Sequence, residues 1–307
     1  MTTASMIDSA RRSLGPVGAF VPISFTTTAP IDQQRETARR IERAGYRAAW
    51  TNEPVGGKDV FVQVAVLLAA TERMTFGTGI ANIWARLPQI ANAAAALLAQ
   101  AYPDRFVLGL GVGYPQQAEV AGREFGRPLA TMRDYLARMH APVQPPPPDA
   151  RYPCVISANG PRMLELAGEI ADGAIPATRP PAFTARARQE LGPDKLLVMC
   201  LPVFEDADRG RAKAAARDNV SRAIARSPVS AAAALVELGF AEDEIANVSD
   251  RLLDALAGYG DADAIAAKAY EHLSAGADHV ALMPVAADVE SGLEQLERIA
   301  PALADLS

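Results

Sequence analysis

Two apolar runs end in glycines, a pattern typical of a chain that approaches a ligand closely. Phe76 to Ile80 and Phe106 to Leu110 are apolar at nearly every position, which predicts strands buried on both faces. Glycines crowd the ends of these runs at positions 77, 79, 109, 111 and 113. Because glycine has no Cβ, the backbone there could lie against a flat ring. A tight strand-to-helix turn is the alternative for any single glycine, but the repetition favours a binding site.

The best candidate for an anion site is the run Ala158, Asn159, Gly160, Pro161, Arg162 and Met163. Gly160 allows a tight turn, and Pro161 suits the first turn of a helix. The exposed amides at the start of that helix, together with the side chain of Arg162, could hold a phosphate. The alternative is a simple capped junction between strand and helix.

Few titratable groups accompany these segments. His140 and His272 lie in helical stretches and His279 opens the last strand, so no histidine is predicted to act as a catalytic base. The chain has no Gly-x-Ser-x-Gly motif for a serine nucleophile. The glycines at 109, 111 and 113 lack the later glycine and the acidic residue of a dinucleotide fingerprint. Such a site suits a cofactor that brings its own reactivity.

Composition is typical of one catalytic domain. The chain has 307 residues, half of them hydrophobic, which suffices for an α/β barrel with insertions, and we expect a single domain over 1–307. Cys154 and Cys200 lie in apolar runs and are expected to be core residues, with no spacing that indicates a metal. A net charge of -6 argues against nucleic-acid binding. No signal segment or long apolar run is present, so we expect a cytoplasmic protein without membrane association.

Short apolar runs alternate with helical stretches along the chain. The runs are 17–21, 48–51, 76–80, 106–110, 155–157, 174–176, 196–203 and 279–283. This alternation predicts parallel strands with crossover helices, and hence an α/β protein with a (β/α)8 TIM barrel. Residues 209–256 are almost wholly helical by pattern and too long for one crossover, so they are predicted to be a helical insertion before the last strand.

Orientation of the barrel decides which segments could carry chemistry. Three helices are predicted to end in a glycine with left-handed dihedrals, at 44–46, 171–173 and 275–277, and each leads directly into a strand. These junctions lie at the amino ends of the strands, where residues mainly serve stability. In barrel enzymes catalysis takes place at the opposite end, at the carboxyl ends of the strands. The segments at that end are 51–54, 79–86, 111–115, 158–162 and 178–181.

Five segments, in order along the chain, resemble the bacterial luciferase-like flavin and deazaflavin oxidoreductases. They are 42–50 (ERAGYRAAW), 77–82 (GTGIAN), 103–113 (PDRFVLGLGVG), 159–167 (NGPRMLELA) and 275–280 (AGADHV). The likeness is greatest to the actinobacterial subgroup associated with coenzyme F420, in which segments 80–86 and 248–252 also recur. The resemblance implies a TIM barrel that holds an isoalloxazine or deazaflavin ring at its mouth, and often a homodimer.

The resemblance also implies roles for individual residues. The third strand of this family often ends in a non-prolyl cis peptide behind the ring, which corresponds here to Gly79–Ile80. The remaining cofactor contacts would come from Asn82, Gly111, Val112, Gly113 and Tyr114, and from backbone amides of residues 158–163. The substrate cavity would be bordered by Phe20, Trp50, Glu53 and the insertion helices. Trp84 and Arg86 are further candidates, with loop packing and a solvated charge as their alternatives.

One departure from the family concerns the residue after the second strand. Sugar-phosphate dehydrogenases of this superfamily carry a histidine there, whereas this chain offers Glu53. A carboxyl group in a partly apolar pocket can have a raised pKa and exchange a proton during hydride transfer. Glu53 is therefore one catalytic candidate and Tyr114 is the other. Their alternatives are that Glu53 caps the following loop or orients a neighbour, and that Tyr114 packs beside Pro115.

These observations predict an oxidoreductase that transfers a hydride between coenzyme F420 and a small, largely apolar substrate. The first alternative is an FMN-dependent monooxygenase, which would need a flavin reductase partner. The second is a flavin-binding relative without activity. The lactyl-glutamate chain of F420 would favour cationic groups near the rim, such as Arg86 or Arg162.

Overall fold

A ring of parallel strands forms the centre of the molecule. The computed structural model describes residues 3–22, 28–225 and 228–306, without the side chains of 228–231. Its strands are β1 (Val17–Phe20), β2 (Ala48–Thr51), β3 (Thr75–Thr78), β4 (Ala81–Asn82), β5 (Phe106–Gly111), β6 (Cys154–Ile156), β7 (Gly173–Ala174), β8 (Leu196–Glu205), β9 (Gly258–Gly260) and β10 (His279–Pro284). Within the described residues, β1, β2, β3, β5, β6, β7, β8 and β10 pair in this order, and β10 also pairs with β1. The predicted (β/α)8 barrel is confirmed.

Helices surround this ring. In chain order they are α1 (Thr3–Leu14), α2 (Ile31–Arg43), α3 (Val60–Ala70), α4 (Pro88–Ala101), α5 (Pro115–Val120), α6 (Pro128–Met139), α7 (Pro161–Ile170), α8 (Pro181–Leu191), α9 (Arg209–Ala225), α10 (Pro228–Val236), α11 (Glu242–Ala246), α12 (Asp250–Leu256), α13 (Ala262–Ser274), α14 (Val289–Ile299) and a 3-10 helix (Ala300–Leu306). Their apolar faces cover strands that are almost fully buried, as parallel sheets require.

Helix α1 packs against the interior of the barrel. Ile7, Ala10 and Leu14 lie on one face of the helix and join the same apolar cluster as Trp50 and Val198 from the strands. Full burial of an Ile or Leu side chain contributes about 1.5–3 kcal/mol. The sequence analysis did not predict this helix.

Two of the three predicted glycine junctions have the expected backbone. Gly45 and Gly276 both have φ at +103°, in the left-handed region, where the preceding helices end. Gly173 is different, because a Cβ there would lie 1.9 Å from the carbonyl oxygen of Leu196 on the neighbouring strand. At this junction glycine is needed for close approach of two backbones and not for a left-handed turn.

The predicted insertion is present. Helices α9 to α12 follow β8 and form a second apolar cluster that includes Phe204, Ala216, Leu252 and Tyr259. The short strand β9 comes after these helices and pairs with β8, a feature that the sequence pattern did not predict. The insertion therefore has its own apolar contacts beside the end of β8.

Candidate active site

A cavity of about 470 Å³ opens where the strands end. Its lining consists of Asn52, Glu53, Gly79, Ile80, Val112, Gly113, Tyr114, Gln117, Ser157, Asn159, Gly160, Met163, Ile175, Pro176, Ala177 and Cys200. These residues follow β2, β3, β5, β6 and β7 or lie in β8, so the cavity is at the end of the barrel where barrel enzymes place their chemistry. The described residues of the insertion do not line it.

Glycines allow neighbouring side chains to pack closely against the backbone at the bottom of this cavity. The Gly79–Ile80 peptide is cis, as the resemblance implied. A Cβ on Gly79 would lie 2.6 Å from Cζ of Phe20, and a Cβ on Gly111 would lie 2.6 Å from Cγ1 of Ile80. Phe20 is thus buried beneath the cis peptide, and it does not border the cavity as predicted.

The backbone of Gly113 and the side chain of Asn82 also pack closely against each other. Gly113 has φ at +57°, and a Cβ there would lie 2.0 Å from Oε1 of Gln117 and 2.7 Å from Nδ2 of Asn82. Asn82 is buried, and its Oδ1 accepts the backbone N–H of Trp84 at 3.0 Å. Among the described residues its Nδ2 has no partner, and an unsatisfied buried donor costs about 1–3 kcal/mol. Neither Asn82 nor Gly111 is among the residues that line the cavity, although both were predicted to contact the cofactor.

The carboxylate of Glu53 is fully engaged. Its Oε1 accepts the N–H of Val60 at 3.1 Å and a hydrogen bond from Nη2 of Arg86. Its Oε2 accepts the N–H of Asn82 at 2.8 Å and a hydrogen bond from Nη1 of Arg86 at 2.9 Å. Only 1% of the Glu53 side chain is exposed. This geometry favours the alternative in which Glu53 orients its neighbours over an acid–base role.

Arg86 is not a solvated charge. Its side chain is 9% exposed, stacks over the ring of Phe61 at 4.7 Å, and also pairs with Asp59 at 3.0 Å. Burial alone would lower the pKa of Arg86, but the hydrogen bonds and charges of Glu53 and Asp59 raise it above its usual value. The Arg86 guanidinium is therefore used in contacts within the protein and is not available to a ligand in the cavity.

The two tryptophans predicted to contact substrate do not reach the cavity. Trp50 is fully buried inside the barrel, where its Nε1 donates to Nε2 of His279 at 2.9 Å. Trp84 donates from Nε1 to the carbonyl oxygen of Val112 at 2.7 Å and packs against Phe125, so it stabilises the loop. Tyr114, in contrast, lies at the rim with 58% of its surface exposed.

The start of α7 presents an open amino terminus to the cavity. Gly160 is its N-cap, no side chain caps the helix, and a Cβ on Gly160 would meet nothing within 4 Å. Asn159 beside it accepts the N–H of Ala177 through Oδ1 at 2.8 Å. The amide of Arg162 lies in the first turn and has no acceptor within the helix. Backbone donors and the helix dipole together suit a phosphate here.

The other residues of the predicted phosphate site lie around this turn. Ala158 is buried beneath it, while Pro161 and Arg162 are exposed and do not line the cavity. Only Asn159, Gly160 and Met163 of this segment line it directly.

Several lining residues were missed by the sequence analysis. Asn52 follows β2 and has a buried Oδ1 without a partner, and Ser157 follows β6. Cys200 was predicted to be a core residue but lines the cavity, and burial raises the pKa of its thiol to about 12. Their positions at or next to strand ends were the available signal, since side chains there point into the mouth of a barrel.

Histidines and metal-binding groups lie elsewhere. His279 is buried in the barrel interior, with its Nδ1 bonded to the carbonyl oxygen of Gly15 at 2.7 Å. His272 is buried against Thr184, and His140 is exposed at the end of α6. Among the described residues, no group of three or more His, Cys, Asp or Glu side chains could hold a metal ion. Within the residues that the structure describes, no helix is both long enough and apolar enough to cross a membrane.

The protein is a parallel (β/α)8 barrel with a cavity at the carboxyl ends of its strands, where the Gly79–Ile80 cis peptide lies. These features define the class as barrel proteins with a small-molecule site at that end. The chain belongs to the luciferase-like monooxygenase family, whose sequence model matches residues 16–279.

Relatives of known activity include F420-dependent and FMN-dependent enzymes. A 5,10-methylenetetrahydromethanopterin reductase of Methanolobus tindarius is 27% identical over 233 residues, which are 67% of this chain and 72% of the relative. An F420-dependent secondary alcohol dehydrogenase, solved with an F420-acetone adduct, has a TM-score of 0.72 at 20% identity and covers 95% of this chain and 99% of its own. The FMN-bound oxygenating constituent of 3,6-diketocamphane monooxygenase from Pseudomonas putida has a TM-score of 0.72 at 15% identity and covers 95% and 98%.

Proposed function

We propose that this protein is an oxidoreductase that transfers a hydride between coenzyme F420 and a small, largely apolar organic substrate. The observation that carries the proposal is a glycine-lined cavity whose described lining has no histidine, no lysine and no free carboxylate. Among the described residues that line it, Glu53 has the only carboxylate, and Arg86 neutralises it. The F420-dependent secondary alcohol dehydrogenase among the similar structures supports the choice of cofactor.

The residues at the cavity fit such a cofactor. At Gly113 a Cβ would clash with the side chains of Gln117 and Asn82, so only glycine lets them pack against the backbone that lines the cavity. We propose that Gly79, Ile80 and Val112 contact the ring, and that the amides at the start of α7 hold the phosphate. A bound deazaflavin supplies two-electron hydride chemistry, which needs little from the protein beyond binding and orientation.

The proton that accompanies hydride transfer needs another group. Tyr114 remains our proposed donor or acceptor, since its ring lies at the rim and Glu53 is occupied by four hydrogen bonds. Asn52 and Ser157 add neutral polar groups to the lining. An uncharged substrate, such as an alcohol or a ketone, suits this lining better than an anion.

The test is a fluorescence titration of the purified, cofactor-free protein with F420 and with FMN. Saturable F420 binding with much weaker FMN binding would support the proposal. The reverse preference would favour an FMN-dependent monooxygenase that works with a flavin reductase, and binding of neither would refute the cofactor assignment. Tight F420 binding without turnover of alcohols, ketones, enones or imines would instead indicate a relative that has lost activity.

We also propose that the chain forms a homodimer. The neighbouring helices α3 and α4 contain no charged residue. On or beside these helices lie four exposed large apolar side chains, those of Val62, Leu87, Ile90 and Leu97. Soluble monomers rarely expose large apolar surfaces of this kind. Sedimentation equilibrium should give twice the mass of the chain, and a monomer at micromolar concentration would refute this proposal.

A further inference from the structure

We infer that Arg179 binds an anionic group of the cofactor side chain at the edge of the cavity. The inference rests on the proposed function, because it takes a cofactor with a phosphate or carboxylate as the ligand. Arg179 follows β7, and residues 175–177 just before it line the cavity. Its Nη2 donates to the carbonyl oxygen of Asn159, which also lines the cavity, at 3.4 Å.

Arg179 has donors that the protein does not use. Within the described residues its guanidinium makes no ion pair with a carboxylate. Its Nη1 donates to the carbonyl oxygen of Thr178 at 2.9 Å, and its Nε is buried without a partner. A guanidinium carries five N–H donors, and two carbonyl contacts leave most of them unused. Burial lowers the pKa of Arg179, which reflects the cost of keeping this charge away from water.

Three other partly buried arginines are paired with carboxylates. Arg86 bonds Glu53 and Asp59, Arg188 bonds Asp278 at 2.6 Å, and Arg40 bonds Glu297 at 2.7 Å. Arg105, which lacks such a pair among the described residues, instead donates from Nε and Nη2 to neighbouring oxygen atoms. An arginine at the cavity edge that lacks such a partner is available for an anion from outside the protein.

The surroundings of Arg179 are electropositive. Arg186 lies near the same ring, Phe183: the guanidinium carbons of Arg179 and Arg186 are 5.7 Å and 5.4 Å from its centre. Arg186 has a carboxylate within reach, that of Glu190 at 3.7 Å, whereas Arg179 has none. The amino terminus of α7 begins at Gly160, directly after the Asn159 carbonyl that Arg179 contacts. The helix dipole and the unpaired guanidinium therefore favour an anion at the same corner of the cavity.

Two anionic groups of the cofactor share this chemistry. A phosphate is present in both F420 and FMN, whereas glutamate carboxylates are present only in F420. Binding of truncated ligands separates these sources without any activity assay. The series consists of the deazaflavin riboside, its phospholactate form without glutamate, complete F420, riboflavin and FMN, each titrated by fluorescence.

The variant is Arg179→Gln, and Arg186→Gln, at the other arginine beside Phe183, is its matched control. We expect R179Q to weaken binding of the anionic ligands about 10- to 100-fold, as for loss of a charge-assisted hydrogen bond, and R186Q to weaken it less than about threefold. Arg179→Lys should restore part of the affinity. R179Q should also reduce the salt dependence of binding, and it should not lower the melting temperature because it removes an unpaired, partly buried charge.

The pattern across the ligands decides the outcome. Weaker binding of every phosphate-bearing ligand would support a contact of Arg179 with the phosphate, and weaker binding of glutamylated F420 alone would support a contact with a carboxylate. Unchanged affinity for all ligands, or an equal loss for the riboside and riboflavin, would overturn the inference while leaving the proposed function intact. If the wild-type protein binds neither the riboside nor F420, the proposed function fails and the inference fails with it.

Discussion

The replacement Glu53→Gln separates a structural role of this residue from a catalytic one. Each carboxylate oxygen of Glu53 accepts one backbone N–H and one N–H of Arg86. A glutamine keeps one oxygen and puts an NH2 group in place of the other. In either orientation this NH2 group faces two donors, so two hydrogen bonds are lost and Arg86 keeps only the outer ion pair with Asp59.

The magnitude follows from these contacts. Each buried donor left without a partner costs about 1–3 kcal/mol, and removing one member of a buried ion pair costs about 3–5 kcal/mol in total. We therefore expect E53Q to lower the free energy of unfolding by about 3–5 kcal/mol, measured by urea denaturation. The affinity for F420 should fall as well, because Glu53 holds the backbone of Asn82 beside the cavity floor.

Asp59→Asn is the matched control. Asp59 accepts the outer hydrogen bond of Arg86 but is 48% exposed, and asparagine can still cap α3. The expected loss of stability is therefore at most about 1 kcal/mol. The reasoning is refuted if E53Q keeps wild-type stability and cofactor affinity while turnover falls about 10²- to 10⁴-fold, since that result would make Glu53 an acid or base.

Two further predictions concern the phosphate site and a buried histidine. Gly160→Asp should weaken binding of phosphate-bearing cofactors about 10-fold or more by charge repulsion while the helix keeps its stability, because aspartate is a preferred N-cap. Gly168→Asp, an equally open position on the same helix, should not change affinity, and equal effects of both would contradict a phosphate at Gly160. Burial lowers the pKa of His279 from 6.5 to about 4, so its stabilising effect is complete above pH 6.5 and is lost as the pH falls toward 4, by up to about 3 kcal/mol. Urea denaturation from pH 7 to 4.5 should show a smaller pH dependence in His279→Gln than in the wild type or in the exposed-site control His140→Gln, and equal slopes would refute this assignment.

The barrel was predictable because its strands are apolar on both faces. Each of the eight predicted strands is present with its bounds within about two residues. Strands β4 and β9 were not predicted, because their sequences, Ala-Asn and Gly-Tyr-Gly, do not form apolar runs. Helix α1 did carry a signal, because Ile7, Ala10 and Leu14 have helical spacing.

Backbone roles at the site were easier to predict than side-chain roles. Gly79 and Gly113 were predicted to contact the cofactor because they stand at strand ends, and both line the cavity. The side chain of Trp50 could have turned toward either end of the barrel, and only its hydrogen bond to His279 decides the direction. The partner of Glu53 is Arg86, 33 positions away, and no local pattern connects two residues at that distance.

The end of β2 holds the floor of the cavity by backbone and side-chain contacts together. Gly79 donates its N–H to the carbonyl oxygen of Thr51 at 2.7 Å, and Glu53 donates its own N–H to the carbonyl oxygen of Ile80 at 3.1 Å. The Glu53 carboxylate then holds Asn82, the next residue but one after Ile80. The position where related sugar-phosphate dehydrogenases carry a histidine is thus used here to fix the peptide on which a ring would rest. With Glu53 used for support, our proposal takes the redox chemistry from the cofactor and the proton from elsewhere at the rim, so Tyr114 and the neutral residues around it are the groups to examine next.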